Sequence, residues 1–204
     1  MKNIKAIIFD FGGVIFNIDF NKTCKAFKEL GVMDFADMYS LKDANPIFQH
    51  LEKGEFVGED FYREFRKFTG VHLENDQVDS ALNALLLGYR TEALSTLKAI
   101  KHKYKIYLLS NTNSIHHQSF TNMYKEEIGE GTLDGYFDNV YYSHVTGYRK
   151  PAKEAYEMVL KENNLSAGET LFIDDTEKNI EGARALGLQT VWLKEGMVIE
   201  DLGL

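Results

Sequence analysis

Short, dense runs of apolar residues recur along this chain, and the first lies close to its beginning. Ala6-Ile7-Ile8-Phe9 is followed at once by Asp10, and Gly12 and Gly13 come one residue later. Apolar runs without polar alternation are typical of strands buried on both faces, as in a parallel sheet. We therefore predict a buried strand over residues 5–9 that gives way to a loop at Asp10.

From about residue 91 onward the pattern alternates between helix and strand. Four further apolar runs predict strands, at residues 106–109, 140–142, 171–173 and 190–193. Apolar residues at helical spacing lie between these runs and predict helices. Alternating strands and helices predict an α/β fold with a doubly wound parallel sheet. Such sheets bind their ligands at the carboxyl ends of the strands.

Residues 17 to about 90 have a different pattern, with long stretches of helical spacing and no convincing strand. Phe61, Phe65 and Phe68 are spaced i, i+4, i+7, and charged residues lie between them. This spacing predicts an aromatic stripe that packs into a core, rather than a ligand-binding surface.

Composition and charge narrow the possible functions. The chain has 204 residues and a net charge of −8, which argues against a nucleic-acid binder, because such proteins carry a basic face. No apolar run approaches the length of a membrane helix, and the run that ends at Asp10 is too short for a signal peptide. Cys24 is the single cysteine, so we expect a reducing compartment, the cytoplasm.

Polar residues of complementary chemistry follow three of the predicted strands. They are Asp10, the segment Ser110-Asn111-Thr112, and the pair Asp174-Asp175. In a parallel sheet these residues meet at one edge, where two carboxylates about 5 Å apart repel by about 3 kcal/mol. A cation relieves this repulsion, and Mg²⁺ prefers oxygen ligands, so the three acids predict a Mg²⁺ site. The alternative is that some of them are helix N-caps.

The same edge contains candidate groups for binding a phosphate. Ser110 and the amides after it precede a predicted helix, and a helix N-terminus suits an anion, although a simple polar cap cluster would look the same. Lys150 could add a positive charge, but on its own it reads as a surface lysine. Pro151 follows it and is suited to the first position of the next helix.

Taken in order along the chain, these segments resemble the four motifs of the haloacid dehalogenase superfamily. The segments are Asp10 to Val14, Leu109 to Thr112, Arg149 to Pro151, and Ile173 to Asp175, the last followed by Asn179 and Ala183. The resemblance implies a Rossmann-like catalytic core formed by residues 1–16 and 91–204. Residues 17–90 are similar to the small helical cap that this family inserts after its first strand.

The resemblance also implies a phosphatase mechanism. Asp10 would be the nucleophile and form an aspartyl-phosphate. Its carboxylate, the backbone carbonyl of Gly12, and Asp175 helped by Asp174 would hold Mg²⁺. Carboxylate nucleophiles divide a difficult displacement into two easier steps.

Ser110, Asn111 and Lys150 would hold the phosphoryl oxygens of a small phosphorylated metabolite. Most phosphatases that this chain resembles carry a second Asp where it has Gly12. General acid–base help is typically worth about 10²–10⁴-fold, so its absence favours a substrate with a good leaving group. A subgroup that also lacks this acid is similar along the whole chain and contains bacterial phosphatases acting on α-D-glucose 1-phosphate, which is therefore the leading expected substrate.

Two alternatives remain open. A metal-free 2-haloacid dehalogenase also uses an aspartate nucleophile without the second acid, but it has no use for the pair Asp174-Asp175. A non-catalytic binding module that kept the fold is the other alternative, and Gly12 is its main support.

Overall fold

A parallel sheet forms the centre of the computed structural model, which describes residues 3–39, 46–56 and 58–204. The strands of the described residues are β1 (Ala6–Phe9), β2 (Phe16–Ile18), β3 (Leu86–Tyr89), β4 (Lys105–Ser110), β5 (Asn139–Tyr142), β6 (Thr170–Asp174) and β7 (Gln189–Trp192). Five of them make one sheet in the order β5-β4-β1-β6-β7, and every neighbouring pair is parallel.

Helices connect these strands. They are α1 (Phe20–Glu29), α2 (Phe35–Met38), α3 (Pro46–Glu52), α4 (Asp60–Thr69), α5 (Asn75–Asn83), α6 (Thr91–Ile100), α7 (Ser114–Glu127), α8 (Ser143–Thr146), α9 (Lys153–Glu162) and α10 (Glu177–Ala185). Short 3₁₀ turns lie at Asp134–Tyr136, Ala167–Glu169 and Ile199–Leu202. None of the helices in the described ranges combines the length and apolar character that crossing a membrane requires.

Both faces of the sheet are buried, which explains the unbroken apolar runs of the sequence. Ile7 and Phe9 of β1 pack with residues of α6 and α7 on one face. Ile8, which points the opposite way because side chains alternate along a strand, packs with residues of α9 and α10 on the other face. The predicted α/β fold with a doubly wound parallel sheet is therefore confirmed.

The helices α1 to α5 have a core of their own. Buried aromatic residues dominate it, and the rings of Phe27 and Phe35 stack with centroids 4.1 Å apart. Phe61 and Phe65 belong to this core as predicted, whereas Phe68 is 44% exposed, so the predicted stripe is wrong at that position. This separate core supports the predicted division into a catalytic core and a cap over residues 17–90, which remains a proposal.

The prediction that residues 17–90 contain no strand is wrong at both ends of the segment. β2 and β3 form an antiparallel pair that joins the cap to the sheet, with Phe16 opposite Tyr89. These strands have three and four residues and include Asn17 and Gly88, so they lack the alternation that would have indicated them.

The position predicted for Pro151 is also wrong. The helix that follows it, α9, begins at Lys153 with Ala152 as its N-cap, so Pro151 lies in the loop before the helix. That loop brings the neighbouring residue Lys150 to the carboxyl edge of the sheet.

Candidate active site

The three central strands end in polar residues at one edge of the sheet. Asp10 directly follows β1, Ser110 ends β4, and Asp174 ends β6. β4 and β6 flank β1 on its two sides, so these residues are neighbours in space although they are far apart in sequence. The structure therefore brings together the residues that the sequence predicted to meet at this edge.

Asp10, Asp174 and Asp175 form a carboxylate cluster. Each offers one oxygen, and the three oxygens lie within 4.8 Å of one another. Asp174 is completely buried and Asp10 is 9% exposed, whereas Asp175 is exposed. Burial, opposed in part by Lys150 and reinforced by the other two acids, raises the pKa of Asp10 to about 8.

Lys150 lies inside the cluster and not on the surface. Its side chain is 1% exposed, and its Nζ donates to Asp10 Oδ1 at 2.6 Å and to Asp174 Oδ2 at 2.7 Å. Burial alone would lower the pKa of this ammonium group, but the contacts with the two carboxylates outweigh burial and raise it. A lysine held in this way is a fixed positive charge at the edge of the sheet.

A divalent cation fits the remaining charge of this cluster. Three carboxylates face one ammonium group, and their donor atoms are all oxygens, which is the set that Mg²⁺ prefers. Gly13 makes room for the third acid: it has φ +74°, and a Cβ at this position would lie 2.1 Å from Asp175 Oδ2. Gly12, whose carbonyl is the fourth expected ligand, lines the same cavity.

Asp174 is held in place from several sides. Its Oδ1 accepts from the backbone N–H of Thr176 at 2.7 Å, and the amide of Asn179 donates to both of its oxygens at 3.1 and 3.0 Å. Together with the Lys150 contact, these bonds fix the carboxylate in one orientation. Thr176 and Asn179 belong to the loop and first turn of α10, directly after β6.

Asn111 supports Lys150 instead of pointing to open space. Its side-chain amide donates to the Lys150 carbonyl at 2.9 Å, and its Oδ1 accepts from the Lys150 N–H at 2.8 Å. Because both ends of this side chain are engaged, it fixes the loop that carries the lysine. Ser110 is buried and lines the same cavity as Asp10.

An apolar residue of the cap lies where Gly12 lacks a side chain. A Cβ on Gly12 would lie 3.2 Å from Cδ1 of Ile18, which belongs to β2. The place that holds an acid in most members of the family that the sequence resembles is therefore bounded here by hydrocarbon.

The cavity above Asp10 has a volume of about 200 Å³ and is lined by the core and the cap together. This is smaller than the roughly 300–1,000 Å³ of pockets for drug-sized ligands, so the cavity suits a small metabolite. Phe20, Ile18 and Leu86 contribute apolar surface. Tyr39 and Glu52 contribute polar surface from the cap side.

Sequence reasoning missed most of this cap-side wall. Of residues 48–52 on α3, Glu52 alone lines the cavity. Tyr39, which follows α2, and His116 in α7 carry no sequence signal, because a lone tyrosine or histidine reads as core. Arg149 was recognised only as a motif residue, yet it forms an ion pair with Glu52.

Comparison with known proteins identifies related chains along nearly the whole length. The family profile described as haloacid dehalogenase-like hydrolase matches residues 4–187. A D-ribitol-5-phosphate phosphatase from Bacteroides thetaiotaomicron is 32% identical over 194 residues, which cover 95% of this chain and 93% of the relative. A sesquiterpene phosphatase from Aspergillus oryzae is 27% identical over 95% of this chain and 91% of its own length.

A solved structure is similar over the same extent. It is a mutant haloacid dehalogenase family enzyme from Bacteroides thetaiotaomicron in complex with magnesium and inorganic phosphate. It superposes with a TM-score of 0.90 at 30% identity and covers 98% of both chains.

Proposed function

Because this chain belongs to the haloacid dehalogenase-like hydrolases, we propose that it is a Mg²⁺-dependent phosphatase that hydrolyses a small phosphate monoester through an aspartyl-phosphate on Asp10. The observation that carries this proposal is the contact between Lys150 Nζ and Asp10 Oδ1, at 2.6 Å inside a carboxylate cluster at the base of a cavity. Phosphatase relatives and a related magnesium and phosphate complex support it.

Asp10 would begin the reaction as a nucleophile. One carboxylate oxygen of Asp10 forms a bond to phosphorus while the bond from phosphorus to the leaving oxygen breaks, and the leaving oxygen takes up a proton from water because Gly12 offers no acid. Water then attacks the phosphorus of the aspartyl-phosphate, which releases inorganic phosphate and restores Asp10.

The other residues of the site would position the reacting groups and neutralise their charge. Ser110 and Lys150 would bind the phosphoryl oxygens, and Lys150 would also keep Asp10 oriented. Asn111 is expected from the sequence to bind the phosphoryl group too, but both ends of its side chain are bonded to the Lys150 backbone, so the role we propose for it is to position Lys150. In phosphoryl transfer, positioning and charge stabilisation account for most of the catalysis.

The metal would be held by Asp10, the carbonyl of Gly12, Asp174 and Asp175. When bound, Mg²⁺ supplies positive charge that offsets the charge of the phosphoryl group. The excess of carboxylates over ammonium groups in this cluster supports the assignment.

The substrate we propose is a small sugar or polyol phosphate. Because no acid stands at Gly12, a good leaving group such as the anomeric oxygen of α-D-glucose 1-phosphate is favoured. The relative named for D-ribitol 5-phosphate makes a pentitol phosphate the other main candidate. The pair Asp174-Asp175 argues against the dehalogenase alternative, which needs no metal site. As the place of action we propose the cytoplasm, on the basis of the single Cys24.

A phosphate-release panel with and without Mg²⁺ tests this function. We expect release from hexose 1-phosphates and pentitol phosphates, and an Asp10→Asn variant should lose at least about 10³-fold of the activity. Asp201→Asn, which changes an exposed carboxylate in the same way, is the matched control and should behave like the parent protein. No release from any member of the panel with Mg²⁺ present would contradict the proposal.

The ranking within the panel tests the role of Gly12. We expect hexose 1-phosphates to be hydrolysed faster than hexose 6-phosphates, because their leaving group needs less help from an acid. The reverse ranking would mean that another residue donates the proton.

A further inference from the structure

A buried polar cluster connects the cap to the core at the wall of the cavity. We call Tyr39, Glu52 and Arg149 the Glu52 cluster. Glu52 ends α3 in the cap, and Arg149 precedes Lys150 in the core. Two nitrogens of Arg149, Nε and Nη2, contact Glu52 Oε2 at 2.8 and 2.7 Å, and the Tyr39 hydroxyl donates to Glu52 Oε1 at 3.4 Å.

The Glu52 cluster has hydrogen-bonding capacity left over. A carboxylate offers about four acceptor positions, yet Oε1 of Glu52 has only the long Tyr39 contact among the described residues. A guanidinium group has five N–H donors, and Arg149 directs only Nε and Nη2 to Glu52. Both residues line the cavity that ends at Asp10, so the unused donors and acceptors are available to a ligand there.

Burying the ion pair between Glu52 and Arg149 costs free energy, unless a ligand bonds to its remaining donors and acceptors. Glu52 is 8% exposed, and burial raises its pKa while Arg149 limits the rise. Replacing a buried ion pair with apolar residues is often neutral or stabilising, so the pair is not explained by stability alone. A ligand with hydroxyl groups satisfies both partners, since a hydroxyl donates to a carboxylate and accepts from a guanidinium group.

His116 adds a further acceptor to the same cavity. Its Nδ1 lies 2.9 Å from Asn83 Oδ1, which requires the proton on Nδ1, and its Nε2 is buried with no partner among the described residues. Burial lowers the pKa of His116 to about 4, so the ring is neutral and Nε2 can only accept. His116 also lines the cavity, on the side of α7.

We propose that the Glu52 cluster, with His116, is the subsite that binds the hydroxyl groups of the substrate's carbon chain, and that it selects polyhydroxylated phosphate esters over hydrocarbon phosphates. This inference rests on the proposed phosphatase function. A hydrocarbon chain, such as that of a sesquiterpene phosphate, would cover the ion pair without replacing its bonds to water. The volume of about 200 Å³ also favours a short chain over a long one.

The test compares two phosphate esters in parent protein and variants: D-ribitol 5-phosphate, and phenyl phosphate, which has no hydroxyl groups. In Glu52→Gln we expect kcat/KM for ribitol 5-phosphate to fall about 10–100-fold, mainly through KM, because one or two hydrogen bonds to a charged group are lost. The value for phenyl phosphate should change less than about threefold. Tyr39→Phe, which leaves the ion pair intact, should give a smaller change of the same kind.

Glu55→Gln is the matched control, because Glu55 follows α3 on the same cap segment and is exposed. It should leave both esters unaffected. An equal loss on both esters in Glu52→Gln would mean that Glu52 only holds the cap on the core, and it would overturn the inference. So would an unchanged KM for ribitol 5-phosphate.

Parent protein alone gives a second test if a variant does not fold. Removing hydroxyls from the polyol chain one at a time should raise KM in steps, and deoxy analogues that bind as well as ribitol 5-phosphate would overturn the inference. If phenyl phosphate is hydrolysed with Mg²⁺ and hydroxyls make no difference, only this inference fails. If neither ester nor any other member of the phosphate panel is hydrolysed with Mg²⁺ present, the proposed function fails as well.

Discussion

The carboxylate of Asp175 occupies the space that a side chain on Gly13 would need. A Cβ built on Gly13 lies 2.1 Å from Asp175 Oδ2, and the backbone there has φ +74°. The glycine is therefore required both by the backbone conformation and by the approach of the acid to the carboxylate cluster.

We predict that Gly13→Ala weakens Mg²⁺ binding, because Asp175 must move away from Asp10 and Asp174. Titration of Mg²⁺ against activity should show a higher half-saturating concentration, and the free energy of unfolding should fall by about 1 kcal/mol or more from the positive φ. Gly70→Ala is the matched control, since Gly70 has φ +68° and no atom within 4 Å of its Cβ position. It should lose stability and keep the half-saturating Mg²⁺ concentration of the parent protein. An equal half-saturating concentration in both variants would contradict the prediction.

We predict that Lys150→Met lowers the free energy of unfolding by about 3–5 kcal/mol in EDTA, because it leaves two buried carboxylates without their partner. Mg²⁺ should restore part of this loss, since the cation offsets the same charge. Urea unfolding with and without Mg²⁺ measures both effects. Lys22→Met, on the exposed face of α1, should change the free energy of unfolding little. A similar loss of free energy of unfolding in both variants would mean that Lys150 does not neutralise the cluster.

We predict that chelation with EDTA abolishes phosphate release and that added Mg²⁺ restores it. The physical reason is the excess of three carboxylates over one ammonium group at the site. The same samples should be offered 2-chloropropionate while free chloride is measured. Turnover of this haloacid that survives EDTA would support the dehalogenase alternative and contradict the metal assignment.

From the buried ring of His116 we predict that the free energy of unfolding falls in mild acid. An unfolded histidine has an ordinary pKa of about 6.5, whereas burial lowers the pKa of folded His116 to about 4. Above pH 6.5 the ring is neutral in both states and contributes nothing. As the pH falls from 6.5 to 4 the unfolded state takes up the proton first, so stability is lost across this window and levels off below it.

Urea unfolding at pH 7.5 and pH 5 measures this effect. Between these values we expect His116→Gln to lose about 2 kcal/mol less than the parent protein. His102→Gln, which changes an exposed histidine, should lose as much as the parent. Equal losses in all three proteins would show that His116 is not buried as a neutral ring.

The residues at the strand ends could be predicted because the topology places them. Once alternating strands and helices indicate a parallel sheet, Asp10, Ser110 and Asp174 must lie at its carboxyl edge, and the structure has them there. Lys150 could be assigned only through the resemblance. Nothing in its immediate sequence distinguishes a lysine buried between two acids from one in an exposed loop.

The wall of the cavity could not be predicted, because it depends on how the cap lies over the core. Glu52 and Arg149 are 97 positions apart, and helical periodicity says which residues share a face of one helix but not which helix that face meets. β2 was missed for a related reason. Its three residues become a strand only through pairing with β3, about seventy positions later.

The pairing of β2 with β3 has a consequence for how far the length of the cap segment can change. Two backbone hydrogen bonds join the ends of the cap segment, where the chain leaves the core and where it returns. The N–H of Arg90 donates to the carbonyl of Ile15 at 3.0 Å, and the N–H of Asp19 donates to the carbonyl of Leu85 at 2.9 Å. The entropic cost of closing a loop grows only with the logarithm of its length, by about 0.6 kcal/mol for each doubling. The segment between these two bonds can therefore be lengthened or shortened at little cost in loop-closure free energy, while Asp10, Ser110 and Lys150 keep their places in the core.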